Sequence, residues 1–174
     1  MGEVTVTHHG ATPAWGALYW QYYEEMDKIT KADGSLDIEK QLFAEEVTSS
    51  GAQLVRVTDE RPLRVGDKVV VRLTLRTDRD LEFVHLKDTR AASFEPVNQV
   101  SGIGWQNGIL YYRTSKDAST NFYFDTLPRG TYVFEYSVHA NRAGDYSNGI
   151  TTVQCMYAPE FTSHTAGSRI IVKE

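Results

Sequence analysis

Cysteine is almost missing from this chain: Cys155 is the single example in 174 residues. One thiol closes no internal disulfide and rules out a cysteine-ligated zinc site. Also missing is any apolar run near the ~18 residues that a membrane-spanning helix needs. Positive charge is scattered, with 18 Lys and Arg against 23 Asp and Glu and a net charge of −5. No basic block is present to neutralise phosphates, which excludes a duplex nucleic-acid binder. The chain has neither a Gly-x-Ser-x-Gly elbow nor a glycine-rich phosphate loop, and Ser101-Gly102-Ile103-Gly104 reads as a flexible loop. What is present is 41% apolar residues, too many for a disordered segment. The length suits one domain of ~100–200 residues, or one plus a fragment of a neighbour. Aromatic residues stand out, with ten Tyr, seven Phe and three Trp.

Period-two alternation predicts strands almost throughout after residue 35. Val69, Val71, Leu73 and Leu75 share one face, and Tyr132, Phe134, Tyr136 and Val138 share another. Leu81, Phe83, His85 and Lys87 alternate with Glu82, Val84, Leu86 and Asp88, while Thr120, Phe122 and Phe124 alternate with Asn121, Tyr123 and Asp125. Asn107-Gly108 between Trp105 and Tyr111-Tyr112 is a hairpin signal, because both residues tolerate positive φ. Short strands with turn signals every ~8–12 residues and no amphipathic helix predict an all-β fold, an antiparallel sandwich of about seven or more strands.

The amino-terminal part reads differently. Glu3 to Thr7 is strand-like, and the aromatic stretch from Trp15 to Tyr23 reads as a further strand. Asp27 to Ser35 is a polar linker ending in a turn. We therefore expect residues 1–30 to be the end of a preceding module plus linker, and residues 31–174 to be the sandwich domain. No basic and apolar leader follows Met1, so the expectation is a cytoplasmic chain or a piece of a larger exported protein. Residues 3–25, removed from their module, are expected to pair with another copy through open strand edges.

Candidate chemistry is sparse. His8 and His9 are adjacent, so a strand would point them to opposite faces, and His85, His139 and His164 are scattered. Asp78-Arg79-Asp80 lacks the glycine and closing glutamate of a calcium loop. No metal or other cofactor is expected. A carboxylate pair for glycoside hydrolysis has no spacing rule to reveal it. Cys155, beside Val153 and Met156, reads as a buried apolar residue. Trp105, Tyr111 and Tyr112 flank the hairpin and offer a sugar-stacking platform, the alternative being an aromatic core.

Several motifs, in order along residues 35–165, resemble the C-terminal macroglobulin-like domain of bacterial alpha-2-macroglobulins. They are Leu63 to Asp67, Leu86-Lys87-Asp88 running to Phe94-Glu95-Pro96-Val97-Asn98, Phe122 to Tyr132, Ala143 to Tyr146, and Cys155-Met156-Tyr157-Ala158-Pro159-Glu160. The stretch from Val4 to Tyr23 resembles the end of the domain that precedes it. The chain departs from the family at Ala91-Ala92-Ser93, where proline is common, and at Gly149 to Gln154 before the Met-Tyr pair. The resemblance implies a lipid-anchored, exported parent of a family that traps proteases and, in many members but not all, bonds them through a Cys–Gln thioester. It implies a non-catalytic domain that packs on the thioester domain, with Met156 and Tyr157 shielding the thioester from water and Pro159 fixing their loop. Its partners would be the thioester and neighbouring domains and the trapped proteases, in the cell envelope. The competing class is a carbohydrate-binding or adhesive module using Trp105, Tyr111 and Tyr112.

Overall fold

The computed structural model describes residues 4–16, 23–49 and 51–174. A short 3-10 turn, Met26–Lys28, precedes the strands. Strands β1 (Leu36–Thr48) and β2 (Gly51–Arg56) are followed by the short β3 (Leu63–Arg64). Next come β4 (Lys68–Thr77), β5 (Leu81–Thr89), β6 (Phe94–Pro96), β7 (Gly102–Gln106) and β8 (Ile109–Lys116). The chain then runs through β9 (Ser119–Leu127), β10 (Gly130–Ala140), β11 (Gly144–Ser147), β12 (Thr151–Cys155), β13 (Ala158–His164) and β14 (Arg169–Lys173).

Two sheets make the sandwich. One has five strands in the order β2-β1-β4-β10-β6, and the other has six, β13-β12-β5-β9-β8-β7. A third sheet, β11-β14-β3, carries the parallel β14–β3 pair, whereas the pairs within the two larger sheets are antiparallel. The fold is thus an all-β sandwich, as the alternation predicts.

The alternation also places the core. Ile38, Leu42, Val69, Val71, Leu73 and Leu75 from the five-stranded sheet meet Val84, Leu86, Phe122, Phe124 and Val153 from the six-stranded one. At the centre, Phe134 on β10 lies 5.1 Å from Phe124 and 5.6 Å from Phe122, between ring centroids. Tyr111 joins them at 5.4 Å from Phe134 in an edge-on contact. Offset and edge-on packing of this kind adds to the area these rings bury.

The segment expected to be a glycine loop is strand β7. Its weak point is covered by a ring: a Cβ at Gly104 would sit 2.6 Å from the Cε2 and hydroxyl of Tyr111. The ring lies across the glycine and supplies the cross-strand contact that glycine lacks. Phe122, Phe124 and Phe134 hold that ring, so it has no room to swing aside. Gly104→Ala is expected to destabilise the domain by about 1–3 kcal/mol through overpacking, read as a lower urea midpoint with an unchanged m-value.

Two expectations change. The strand expected at Glu3–Thr7 is not present in its described part: residues 4–16 have no regular secondary structure and are exposed. A strand without a ladder partner leaves its backbone groups to water. The expected aromatic strand lies largely outside the described residues, which include Trp15 and Tyr23 at its ends, both exposed. Within β5, Leu81 faces the core with Val84, Leu86 and Asp88 instead of sharing a face with Phe83. Phe83 adopts φ 52°, which interrupts the alternation. β9 makes the same three-residue step, with Phe124 and Leu127 both buried.

Between the sheets sits a polar network. Lys40 on β1 and Asp88 on β5 form a buried ion pair, Nζ to Oδ1 2.9 Å. The Tyr136 hydroxyl donates to the other Asp88 oxygen, and the Thr151 hydroxyl donates to Oδ1 at 2.6 Å. Burial first, and then the charge on Asp88, hold the Tyr136 phenol well above its ordinary value of 10.0. A folded-state value above the unfolded one means the native state retains a proton that the unfolded chain has lost. Stability from this group is therefore complete below the unfolded value of 10.0 and is lost as pH rises from there through the folded value. The expected slope approaches ~1.4 kcal/mol per pH unit, and Tyr136→Phe should flatten it in urea titrations between about pH 10 and 11.5.

Candidate functional site

The Met156-Tyr157 pair forms the tip of the hairpin between β12 and β13. Val153 and Cys155 point inward on β12, so the strand is anchored up to the residue before the turn. Beyond it, Met156 is 57% and Tyr157 80% exposed. These are large apolar groups held in water by their own hairpin, which a core-packing role would not require.

Phe83 braces the tip. Its ring meets Tyr157 edge-on at 5.1 Å, and its carbonyl accepts the Met156 N–H at 2.9 Å. The positive φ of Phe83 turns its side chain outward, and the ring is itself 44% exposed. Met156, Tyr157 and Phe83 thus make one apolar knob. A non-glycine residue with φ > 0 costs free energy and is held there by its surroundings. Strict alternation gives no sign of that turn in the sequence.

Pro159 and Glu160 follow the tip on β13, an edge strand, and both are exposed. Cys155 pairs with Ala158 but Gln154 pairs with Thr162, so the register shifts across this segment. An edge position is where proline is tolerated, since it donates nothing to a ladder. Cys155 is buried, with its thiol against the Glu82 carbonyl at 3.2 Å.

The hairpin aromatics divide. Tyr111 turns inward into the ring cluster, whereas Trp105 and Tyr112 stay outside at 70% and 46% exposure. Alternation alone separates the two tyrosines. Trp105 pairs across the strands with Leu110, and Tyr112 with Ile103. All of these are exposed, so the outer face of the hairpin is an apolar patch. Between the patch and the knob, Tyr123 stacks on His85 with centroids 4.6 Å apart.

The remaining candidates stay apart. Asp78 and Arg79 pair with each other at a hairpin tip, and His8 bonds the Thr12 carbonyl in an exposed segment. Among the described residues no group of three or more His, Cys, Asp or Glu is placed to hold a metal. No helix among the described residues is long and apolar enough to cross a membrane.

A family model described as the bacterial alpha-2-macroglobulin MG10 domain matches residues 36–160. Among solved structures, Salmonella alpha-2-macroglobulin reacted with methylamine aligns at 22% identity and TM-score 0.64, covering 83% of this chain and 10% of that one. Native Escherichia coli alpha-2-macroglobulin from domain MG7 to the C-terminus aligns at 17% identity and TM-score 0.65, covering 83% of this chain and 24% of that one. At these identities the solved structures establish the fold. Among curated proteins, Circularly permutated Ras protein 2 of Dictyostelium discoideum is 24% identical over 165 residues, 90% of this chain and 4% of that protein. The chain therefore spans a small part of the length of each of these relatives.

Proposed function

The chain belongs to the bacterial alpha-2-macroglobulin MG10 domain family, whose model spans residues 36–160, and from that membership we propose that it works as a non-catalytic docking domain of a longer, protease-trapping chain. In this reading the sandwich, residues 31–174, packs on a thioester domain of its parent, and residues 1–30 are the end of the module before it. Met156 and Tyr157 cover the thioester. Pro159 stiffens the strand that returns from them. The parent is an endopeptidase inhibitor held at the cell envelope by a lipid anchor.

The observation that supports this is the exposed knob. An acyl thioester is lost when water reaches it, and an apolar Met with a flat Tyr ring excludes water over a large area at small entropic cost. The ring is presented outward on a buried strand and braced by Phe83, which gives it a fixed position before contact. The small share of each relative that aligns fits a module of a long chain. In that parent, Tyr157→Ala is expected to speed release of the thioester thiol by about tenfold or more, equivalent to losing one well-packed apolar contact. Thiol release at the parental rate would remove the shielding role.

The carbohydrate alternative retains Trp105 and Tyr112 on one exposed face, but Tyr111 belongs to the core. Glycan-array binding that disappears in Trp105→Ala would favour it over the docking reading.

A further inference from the structure

β7 is the outermost strand of the six-stranded sheet, and on its far side no described strand pairs with it. Open edges invite pairing with other chains, and proteins blunt them with charge, proline or irregular backbone. The other edges here follow that rule. β13 carries Pro159, Glu160 and a register shift; β6 carries Glu95 and Pro96; β2, β11 and β3 carry Arg56, Asp145 and Arg64. β7, Gly-Ile-Gly-Trp-Gln, carries none of these, and residues 97–112 contain no charged side chain. Its hairpin is also fixed in place, since the Gln106 and Asn107 side chains both donate to the Val133 carbonyl, at 2.9 and 2.8 Å.

We propose that the β7 edge is a self-pairing site, at which two copies of this chain join antiparallel and extend the sheet across a two-fold axis at Gly104. The register follows from the hairpin. Gln106 and Ile109 close a two-residue Asn107-Gly108 turn. In such a hairpin Gln106, Gly104 and Gly102 exchange bonds with β8, and the N–H and C=O of Ile103 and Trp105 point to the open side. An antiparallel copy centred on Gly104 sets Ile103 against Trp105 of the second copy, twice by symmetry. That arrangement makes four backbone bonds and two aromatic–β-branched cross-strand pairs. Two chains of net charge −5 repel each other, and a charge-free edge is where they meet with least repulsion. The site lies at the opposite edge of the sheet from the Met156-Tyr157 knob, so it is independent of the docking proposed above.

Sedimentation velocity on the full chain over a concentration series tests this. A reversible dimer is expected, weakened by about tenfold or more in Ile103→Lys, which places the missing edge charge. Register is tested by mixing Ile103→Cys chains with Trp105→Cys chains under mild oxidation. From an equimolar mixture, disulfide heterodimers should far exceed the two homodimers together, the level that random coupling only equals. A monomer at every concentration overturns the proposal, as does a dimer unaffected by Ile103→Lys or a heterodimer yield no greater than the two homodimers together. Loss of the dimer in Trp15→Ser with Tyr23→Ser would assign it to the exposed amino-terminal segment instead.

Discussion

Asp88→Ala is expected to lower the unfolding free energy by about 3–5 kcal/mol, the cost of leaving a buried charge without its counter-charge. For a chain of this size that corresponds to a fall in Tm on the order of 10 °C. Asp88 is fully buried and accepts from Lys40, Tyr136 and Thr151 together. Removing it strands the Lys40 ammonium between the Thr89 and Asn148 carbonyls, at 2.7 and 3.0 Å, without the carboxylate it pairs with. It also takes the acceptor from the Tyr136 and Thr151 hydroxyls. Lys40→Met should cost less, because the carboxylate retains its two hydroxyl donors. The double variant Lys40→Met with Asp88→Leu should recover part of the loss, since a packed apolar pair is often as stable as a buried ion pair. The network draws on β1 and β10 in one sheet and β5 and β12 in the other, so it also ties the two layers of the sandwich together. Urea unfolding of the three variants checks this. A loss under about 1 kcal/mol in Asp88→Ala would mean that water or repacking satisfies Lys40.

Much of this architecture is legible in the sequence, and the exceptions have physical causes. Alternation along β10, and along β4 from Val71 to Leu75, reports one buried face directly, and Asn107-Gly108 reports its turn through positive φ at both residues. Lys40 among Leu36, Ile38 and Leu42, and Asp88 in step with Val84 and Leu86, were visible as charges on apolar faces. Their partnership was not, because it joins strands 48 residues apart through sheet packing. β11 and β13 are edge strands with Gly, Asp, Pro and Glu in them, so composition hides them. Nothing in Tyr111-Tyr112 says which ring turns inward; the partner Gly104 decides it by leaving room. The Met156-Tyr157 pair was legible only through family resemblance, while its brace, Phe83, depends on a backbone turn that period-two reasoning smooths over.

That brace makes the docking reading separable from stability. Tyr157→Ala is expected to change the unfolding free energy of the isolated chain by no more than about 0.5 kcal/mol, as for other exposed positions. In docking, the same substitution removes an aromatic anchor, expected to cost about 2 kcal/mol or roughly thirtyfold in affinity for a thioester domain supplied in trans. Phe83→Gly sharpens the test. Glycine adopts φ 52° without strain, so lost ring packing and gained backbone relief oppose each other in the folded chain. The knob, however, loses the edge-on partner that fixes Tyr157, and docking should weaken by about 1 kcal/mol through lost preorganisation. Calorimetric titration against the thioester domain, beside urea unfolding of each variant, resolves the two effects. A Tyr157→Ala chain that unfolds early and docks normally would make the tip a structural element of the hairpin and end its role as a contact.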